Sequence, residues 1–205
     1  MITIGITGGV GAGKSTVLDF LAQRYDAYVI QADKVGHLVM EPGQPCYEPV
    51  IRIFGNDIIK NDKTIDRRRV SDVVFSHPEL LEQLNGIIHP AVKTYIRQEL
   101  SEQEADGRSV CVVEAALLLE DHYEEFCDAV WYIHTDEEIR IQRLMDSRGY
   151  SREKAENIMA NQASEAFFRE HADAVIVNNG SREETESQIE ESMCSLMNCS
   201  RNCAE

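Results

Sequence analysis

The sequence predicts an α/β fold of three layers, in which helices cover both faces of a five-stranded parallel sheet. Three observations carry this prediction. Five short apolar runs spread along the chain have the continuous pattern of strands that are buried on both faces. Sequences typical of helix starts lie between the runs. A glycine-rich turn joins the first run to a helical pattern.

The predicted strands and the first helix follow from hydrophobic periodicity. The first helix is expected from Lys14 to about Arg24, with three apolar side chains on one face, Val17, Leu18 and Leu21. The capping-box pattern S/T-x-x-E predicts further helix starts near Ser76, Thr135 and Ser181. The strands are expected at residues 2–6, 28–30, 110–113, 129–133 and 174–177.

Two helical segments interrupt the strand pattern. The chain between the second and third strands, about residues 34–108, is much longer than the roughly dozen residues that a crossover between parallel strands needs. A length of 205 residues suits one domain with insertions better than two independent folds. We therefore expect a single domain, residues 1–205, with a core of about 1–40, 107–140 and 172–205, a substrate lobe of about 41–106 and a lid of about 140–171.

The charge of the chain argues against several partners. Its 36 acidic and 20 basic residues give a net charge of −16, whereas nucleic-acid binding relies on Lys and Arg. No apolar run approaches the roughly 20 residues of a membrane-spanning helix, and residues 1–6 lack the basic leader of a signal peptide. We expect a cytoplasmic protein, monomeric or a small homo-oligomer, without nucleic-acid or membrane partners.

The six cysteines point to no particular function. None forms a C-x-x-C pair, which favours reduced thiols over a zinc site. Three of them, Cys194, Cys199 and Cys203, crowd the C-terminal tail, and the sequence assigns them no role.

The strongest motif is the glycine-rich turn, which matches the phosphate-binding P-loop pattern G-x-x-x-x-G-K-[ST] at every position. Its backbone N–H groups and the following helix dipole would hold phosphates. Lys14 would reach the β- and γ-phosphates of ATP, and the Ser15 hydroxyl would hold Mg²⁺. A chance glycine run is the alternative, but the strand before and the helix after favour function. The predicted nucleotide-binding residues are Gly8, Gly9, Gly11, Ala12, Gly13, Lys14, Ser15 and Thr16.

Other residues favour a kinase over a GTPase-like switch. The Asn-Lys-x-Asp motif that reads guanine is missing from the sequence. Asp33 follows the second strand, where a carboxylate can receive the proton of an acceptor hydroxyl. Arg140, Arg143 and Arg148 lie in or beside the second insertion and can gather the charge of a transferring phosphoryl group. The pattern therefore indicates a P-loop kinase with a lid.

The order of these motifs makes the assignment more specific, because the chain resembles bacterial dephospho-coenzyme A kinase over about residues 1–195. Matching segments occur in the family's order along the chain. They are the glycine loop 7–16, Gln31-Ala32-Asp33, Glu41-Pro42-Gly43, the arginine-containing helix 65–75, Ile88-His89-Pro90, the Leu-Leu-x-Glu segment 117–120, Arg143, Gln162 and Asn178-Asn179-Gly180.

The resemblance implies ATP-dependent phosphorylation of the ribose 3′-hydroxyl of dephospho-coenzyme A, the final step of coenzyme A biosynthesis. It makes Asp33 the general base, and Lys14 of the P-loop motif is the second predicted catalytic residue. Gln31 replaces the first aspartate of the family's triplet, which puts an auxiliary carboxylate at that position in doubt. The simpler interpretation of Asp33 is an N-cap for a helix beginning at Lys34.

On the acceptor side, the resemblance carries over Arg67 and His89 as substrate-binding residues. A guanidinium suits a phosphate or pyrophosphate, which favours Arg67 over the flanking Arg68 and Arg69. His89 precedes Pro90, which predicts a helix boundary there. A structural role at a helix end is an equal alternative for His89.

On the ATP side, the resemblance places Arg143 near the phosphates or in the lid, and Asn178 near the adenine. An intrahelical pair with Glu138 or Asp146 is the alternative for Arg143, and a plain turn is the alternative for Asn178. Glu114 follows the third strand and would reach Mg²⁺ through water.

Two other functions remain open from the sequence. One is a nucleoside monophosphate kinase or another small-metabolite kinase of the same architecture. The other is a nucleotide-binding regulator without turnover. Arg148 is a weaker candidate for the lid, since Ser147 stands where the family commonly has an arginine.

Overall fold

The computed structural model describes residues 1–202, with side chains described through residue 198. Cys203 and the side chain of Cys199 therefore lie outside the described residues. The strands are β1 Ile2–Thr7, β2 Tyr28–Gln31, β3 Val110–Glu114, β4 Ala129–His134 and β5 Ala174–Val177. The helices are α1 Lys14–Tyr25, α2 Ala32–Leu38, α3 Tyr47–Phe54, α4 Arg67–Ser76, α5 Pro78–Ala105, α6 Glu137–Arg148, α7 Arg152–Ala160, α8 Glu165–His171 and α9 Arg182–Asn202, with short 3₁₀ turns at Asn56–Ile58 and Tyr123–Phe126.

The five strands form one sheet in the order β2-β3-β1-β4-β5, which confirms the predicted parallel sheet. In the centre, Ile4 of β1 pairs with Val112 of β3 on one side and with Ala129 of β4 on the other. Ile6 pairs with Glu114, and Thr7 pairs with Tyr132. The carboxyl ends of β1, β3 and β4 therefore meet at one edge, where ligands bind in open α/β sheets.

The central strands are buried because helices cover them. The predicted face of α1, made of Val17, Leu18 and Leu21, is buried against the sheet, as are Ile189 and Met193 of α9. Full burial of an Ile, Leu or Val side chain contributes about 1.5–3 kcal/mol. This core fixes the end of β1 and the start of α1, which are the two elements that the glycine loop connects.

The chain divides into two compact units. One contains Met1–Val29 and the chain from Gln103 onward, and so includes most of the sheet, α1 and α6 to α9. The other, Ile30–Glu102, contains α2 to α4 and most of α5. It is helical, as the long insertion predicted, and buries Val50, Val70 and Ile96. The boundaries and roles of the predicted core, substrate lobe and lid stay predictions.

The helix boundary predicted at His89-Pro90 is wrong, since α5 continues through Pro90. An internal proline removes one helical hydrogen bond and crowds the preceding turn. Packing outweighs this cost, because most helical stability in proteins comes from the buried face. The buried residues of α5 lie on both sides of the proline: Leu84, Val92, Ile96 and Leu100.

Two of the predicted capping boxes have different outcomes. At Ser181 the box forms, with Glu184 N–H donating to Ser181 Oγ at 3.2 Å and Ser181 N–H donating to the Glu184 carboxylate at 2.9 Å. Near Thr135 a helix starts as predicted, since α6 begins at Glu137, but the capping box does not form. Asp136 is the N-cap, without a side-chain cap bond, and the Thr135 hydroxyl donates to the Ala12 carbonyl at 3.0 Å instead. The helix predicted near Ser76 begins at Pro78.

None of the described helices is both long enough and apolar enough to span a bilayer.

Candidate active site

The glycine loop between β1 and α1 has a backbone conformation and close neighbours that leave no room for a side chain at two positions. Gly13, the N-cap of α1, has φ +81°, and Gly8 has φ +148°. A Cβ on Gly8 would lie 2.6 Å from the Ile133 carbonyl oxygen, and one on Gly13 would lie 2.3 Å from the Asn178 amide nitrogen. Only glycine permits both this backbone and this close approach. The loop therefore presents its backbone at the start of α1, where anions bind.

Lys14 is held inside this loop. Its Nζ donates to the Gly8 carbonyl at 2.8 Å and lies 3.5 Å from Glu114 Oε1. Both side chains are largely buried, with exposed fractions of 16% for Lys14 and 9% for Glu114. A buried ammonium needs such partners, because desolvation of an unpaired charge is costly. The predicted catalytic lysine is thus placed by the end of β3 as well as by the loop.

Arg143 also reaches the loop, through backbone carbonyls. Its guanidinium donates to the Asn178 carbonyl at 2.9 Å, to the Thr135 hydroxyl at 3.4 Å and to the Ala12 carbonyl at 3.5 Å. These contacts join α6 to the loop and to the segment after β5. Arg143 is therefore positioned at the site by long-range contacts.

The alternative interpretation of Arg143, an intrahelical ion pair, is wrong. Glu138 pairs instead with Arg152 on α7 at 2.9 Å. Asp146 accepts a hydrogen bond from Gln142 at 2.8 Å. Arg148 is exposed at the end of α6, and its role in the lid stays a prediction.

Asn178 supports the loop through its side-chain amide. The residue is buried, and its Nδ2 donates to the Ala12 carbonyl at 2.8 Å. Its Oδ1 accepts from the buried Thr185 hydroxyl at 3.1 Å. The interpretation as a plain turn residue is therefore insufficient, and the predicted adenine contact stays a prediction. Thr135 and Thr185 were missed as supports of the loop, since both lie far from it in sequence.

A second set of contacts holds the peptide groups of Val10. Gln162 Oε1 accepts from Val10 N–H at 3.1 Å and from Arg140 Nη2 at 2.7 Å. Arg140 Nε donates to the Val10 carbonyl at 2.9 Å. Burial lowers the pKa of Arg140. The arrangement ties the segment before α8 to the loop, a role for Gln162 that the sequence did not reveal.

The donors at the end of β1 and β3 suit a nucleotide with a hard cation. Ser15 presents an exposed hydroxyl in the first turn of α1, and Glu114 supplies a buried carboxylate. Mg²⁺ prefers oxygen ligands and commonly combines one or two protein groups with phosphates and water. No group of three or more His, Cys, Asp or Glu among the described residues could hold a metal ion on its own. The residues present therefore fit a cation that arrives with a phosphate ligand.

Thr7 is a further residue that the sequence reasoning missed. It directly precedes Gly8, is fully buried, and its hydroxyl has no hydrogen-bond partner within the described part of the chain. A buried hydroxyl without a partner costs about 1–3 kcal/mol. The sequence signal was available, because Thr7 is a polar residue directly between the predicted first strand and the glycines of the loop.

The predicted general base lies in the helical unit. Asp33 is exposed in the first turn of α2, and the N-cap is Gln31, which makes no side-chain cap bond. The alternative interpretation, that Asp33 caps a helix beginning at Lys34, is therefore wrong. Arg67 is the first residue of α4 and is also exposed.

His37 connects these two predicted residues within the helical unit. It follows Asp33 by four residues on α2, so both side chains lie on the same helix face. Partial burial and the nearby Arg67 guanidinium lower the pKa of His37, while Asp33 and Glu41 raise it, and the net shift is downward. Asp33 and Arg67 therefore act on one imidazole, which the sequence reasoning missed. His89 lies half-buried in the middle of α5.

Comparisons with known proteins agree on one family. The family model described as dephospho-CoA kinase matches residues 2–184. The dephospho-CoA kinase of Carboxydothermus hydrogenoformans is 38% identical over 187 residues, covering 91% of this chain and 90% of the relative. That of Geobacillus kaustophilus is 36% identical over 191 residues, covering 92% of this chain and 93% of the relative.

Solved structures agree on the fold. The protein TT1252 of Thermus thermophilus has a TM-score of 0.80 at 31% identity and covers 95% of this chain and 97% of its own. The dephospho-CoA kinase of Campylobacter jejuni has a TM-score of 0.71 at 23% identity, with 95% and 96% covered. A shikimate kinase of Acinetobacter baumannii has a TM-score of 0.53 at 15% identity, with 97% and 94% covered. The last two likenesses concern the fold alone.

Proposed function

Because the chain belongs to the dephospho-CoA kinase family, we propose that it transfers the γ-phosphoryl group of ATP to the ribose 3′-hydroxyl of dephospho-CoA. The chain is thus a transferase of the final step of coenzyme A biosynthesis. The observation that carries the proposal is the family match over residues 2–184, which includes both the glycine loop and Asp33. The alternative of a nucleoside monophosphate or other small-metabolite kinase is not favoured by the comparisons.

At the phosphate end, we propose that the N–H groups of the loop and Lys14 hold the β- and γ-phosphates of ATP, with Thr16 beside the α-phosphate. The ammonium of Lys14 would exchange its contact with the Gly8 carbonyl for phosphate oxygens. Ser15, together with Glu114 through water, would hold Mg²⁺. The cation supplies neutralisation of phosphate charge when bound. The buried surroundings of Lys14 strengthen its interaction with an anion.

Arg143 and Asn178 support this end of the site. Their bonds to the Ala12 carbonyl hold the loop in one conformation before ATP arrives, which spares reorganisation during the reaction. We propose that the Arg143 guanidinium also contacts the phosphates and that Asn178 borders the adenine.

At the acceptor end, we propose that Asp33 takes the proton of the 3′-hydroxyl. The hydroxyl oxygen attacks the γ-phosphorus, the bond from that phosphorus to the β,γ-bridging oxygen breaks, and ADP leaves. Arg67 suits the diphosphate of dephospho-CoA, since a guanidinium pairs with phosphate through two hydrogen bonds. His89 completes the proposed substrate contacts. We place this activity in the cytoplasm, in a protein without nucleic-acid partners, as a monomer or a small homo-oligomer.

A coupled assay of ADP release tests the function. The purified chain is given ATP and Mg²⁺ with dephospho-CoA, AMP, shikimate or no acceptor. We expect turnover with dephospho-CoA, and a ³¹P NMR spectrum of the product should contain a new ribose 3′-phosphate monoester. Turnover on AMP without turnover on dephospho-CoA would instead favour the other kinase class. ATP binding without turnover on any acceptor would favour a regulator.

A further inference from the structure

Helix α5 has an uncharged face beside its buried one. The residues of this face follow the helical spacing i, i+4, i+7, i+8 and i+11. They are Ile87, Ala91, Thr94, Tyr95 and Gln98. The stripe runs along three turns without a charged side chain, in a chain of which 27% is Asp, Glu, Lys or Arg. Of the buried residues of α5, Val92, Ile96 and Leu100 lie on another face, whereas Leu84 follows the spacing of the uncharged face. The five residues of the uncharged face are half-buried or exposed, so packing within the helical unit covers them only in part.

The uncharged face lines one wall of a cavity of about 550 Å³. The opposite wall is the segment after α2, which contributes Val39, Gln44, Pro45 and Cys46. Cys46 is buried, and its thiol lies 3.6 Å from the Ile87 carbonyl oxygen, to which it donates. This contact links the two walls. All residues that line the cavity belong to the helical unit, so its shape is set within that unit.

The lining has the chemistry of a site for a neutral, amphipathic group. None of the described residues that line the cavity is Asp, Glu, Lys or Arg. Burial raises the pKa of the Cys46 thiol and, together with a hydrogen bond to Glu99, that of the Tyr95 hydroxyl, so both stay protonated at neutral pH. Gln44, Thr94 and Gln98 bring amide and hydroxyl groups among apolar side chains. Small-molecule sites combine these features, at volumes of about 300–1,000 Å³.

Dephospho-CoA has two chemically different halves. The nucleotide half carries the diphosphate and therefore needs cationic partners such as Arg67. The pantetheine arm is neutral and combines a geminal dimethyl group, a hydroxyl, two amides and a terminal thiol. We propose that the cavity between α5 and the segment 39–46 binds the pantetheine arm. This inference rests on the proposed function and adds to it the site that recognises the non-reacting end of the acceptor.

Such a site contributes to the reaction although it touches no reacting atom. Binding energy from a remote part of a substrate holds the reacting group in place, so its loss affects kcat/KM for that substrate. The cavity should therefore matter for dephospho-CoA and be irrelevant to ATP.

Filling the cavity tests the inference. Ala91→Trp places an indole inside the cavity, and Ala105→Trp, at the exposed end of the same helix, is the matched control. We expect Ala91→Trp to raise the KM for dephospho-CoA at least about tenfold, as loss of contacts worth about 1.4 kcal/mol would do. The KM for ATP should stay unchanged, and Ala105→Trp should behave as the wild type. Isothermal titration with free pantetheine should show binding to the wild type and to Ala105→Trp and no binding to Ala91→Trp.

Thr94→Phe provides a second variant, since Thr94 lines the cavity yet is exposed and tolerates substitution more easily. If Ala91→Trp fails to fold, the same KM measurement and pantetheine titration on Thr94→Phe test the inference. Folded cavity variants with a wild-type KM for dephospho-CoA, or pantetheine binding that the substitutions leave intact, would overturn the inference. Failure of the proposed function is a different result, because the wild type would then not turn over dephospho-CoA at all.

Discussion

The glycine loop and the segment that carries Asp33 differ in how firmly their side chains are held. In the loop, the Ala12 carbonyl accepts from Thr135, Asn178 and Arg143. Both peptide groups of Val10 are bonded to side chains of α6 and of the segment before α8. Asp33 and Arg67, in contrast, are exposed residues in the first turns of α2 and α4.

The difference follows from what each region has to do. Stabilisation of transferring charge is most effective when the donors are fixed before the reaction, and the loop is fixed by buried side chains. An acceptor with a long flexible arm needs a site that can adjust as it binds, so exposed side chains suit that end. The following substitutions test this contrast, and we order them by the size of the expected effect.

Lys14→Met should lower kcat about a thousandfold, which is the upper range for loss of one preorganised charge donor. The physical reason is that no other described ammonium group lies within the glycine loop. The coupled assay with dephospho-CoA measures the effect, and Lys60→Met, at an exposed position, is the control.

Loss of the ammonium beside buried Glu114 also threatens folding, since a buried carboxylate relies on nearby positive charge. The double variant Lys14→Met with Glu114→Gln separates the two effects. It should regain the thermal stability of the wild type and stay inactive. Recovery of turnover in the double variant would contradict a role of Lys14 at the phosphates.

Asp33→Asn should lower kcat about a hundredfold or more, as loss of a general base does. The KM for ATP should stay near that of the wild type, because Asp33 belongs to the acceptor end in our proposal. Asp106→Asn, at an exposed aspartate in the turn after α5, is the matched control. Turnover close to the wild-type value in Asp33→Asn would remove this residue from the mechanism.

Asn178→Ala should weaken the loop without removing any proposed phosphate donor. The side chain loses its bonds to the Ala12 carbonyl and the Thr185 hydroxyl, both in buried surroundings. The Ala12 carbonyl keeps its bond from Thr135, and the Thr185 hydroxyl keeps its bond to the Ser181 carbonyl, so the cost is the loss of two hydrogen bonds. We therefore expect the free energy of unfolding to fall by about 1–3 kcal/mol and the KM for ATP to rise. Urea denaturation and the coupled assay measure these changes.

Asn161→Ala is the control for this prediction, since the Asn161 amide donates only within its own helix end, to the Asn157 carbonyl. An Asn178→Ala protein with wild-type stability and KM would mean that the loop keeps its conformation without this amide. The contrast between the two regions would then be much weaker than the hydrogen bonds indicate.

The fold could be predicted from the sequence because its signals are local. Each strand is a short apolar run, and the covered face of α1 follows from the spacing of Val17, Leu18 and Leu21. The phosphate motif is likewise contiguous, so its loop and the start of α1 at Lys14 could be placed in advance.

The supports of the loop could not be predicted, because they depend on contacts between distant segments. Asn178 is 166 residues from Ala12, and Arg143 is 35 residues from the Asn178 carbonyl it binds. Thr135 matched a local capping pattern, yet its hydroxyl bonds to the loop instead. At Pro90 the local rule predicted a helix end, and burial on the other face of α5 outweighed it.

The smallest effect concerns His37 and tests whether Asp33 and Arg67 share one electrostatic environment. An NMR titration should give the His37 imidazole a pKa below its usual value near 6.5, because partial burial and Arg67 disfavour its cationic form. Arg67→Gln should raise this pKa, and Asp33→Asn should lower it further, since the carboxylate favours the charged imidazole. An unchanged titration in both variants would mean that the two side chains do not act on His37.

The same shift has a consequence for stability, whose sign follows from proton binding. In the unfolded chain His37 takes up a proton near pH 6.5, whereas in the folded chain it does so only at lower pH. Protons therefore favour the unfolded state in this window, and the free energy of unfolding should fall slightly as the pH drops through it and then level off below the folded pKa. His37→Gln should lose this part of the pH dependence, which urea denaturation at several pH values measures. A steeper fall in the variant than in the wild type would mean that the carboxylates of Asp33 and Glu41 outweigh Arg67, so that the acceptor end is more negative than its contacts indicate.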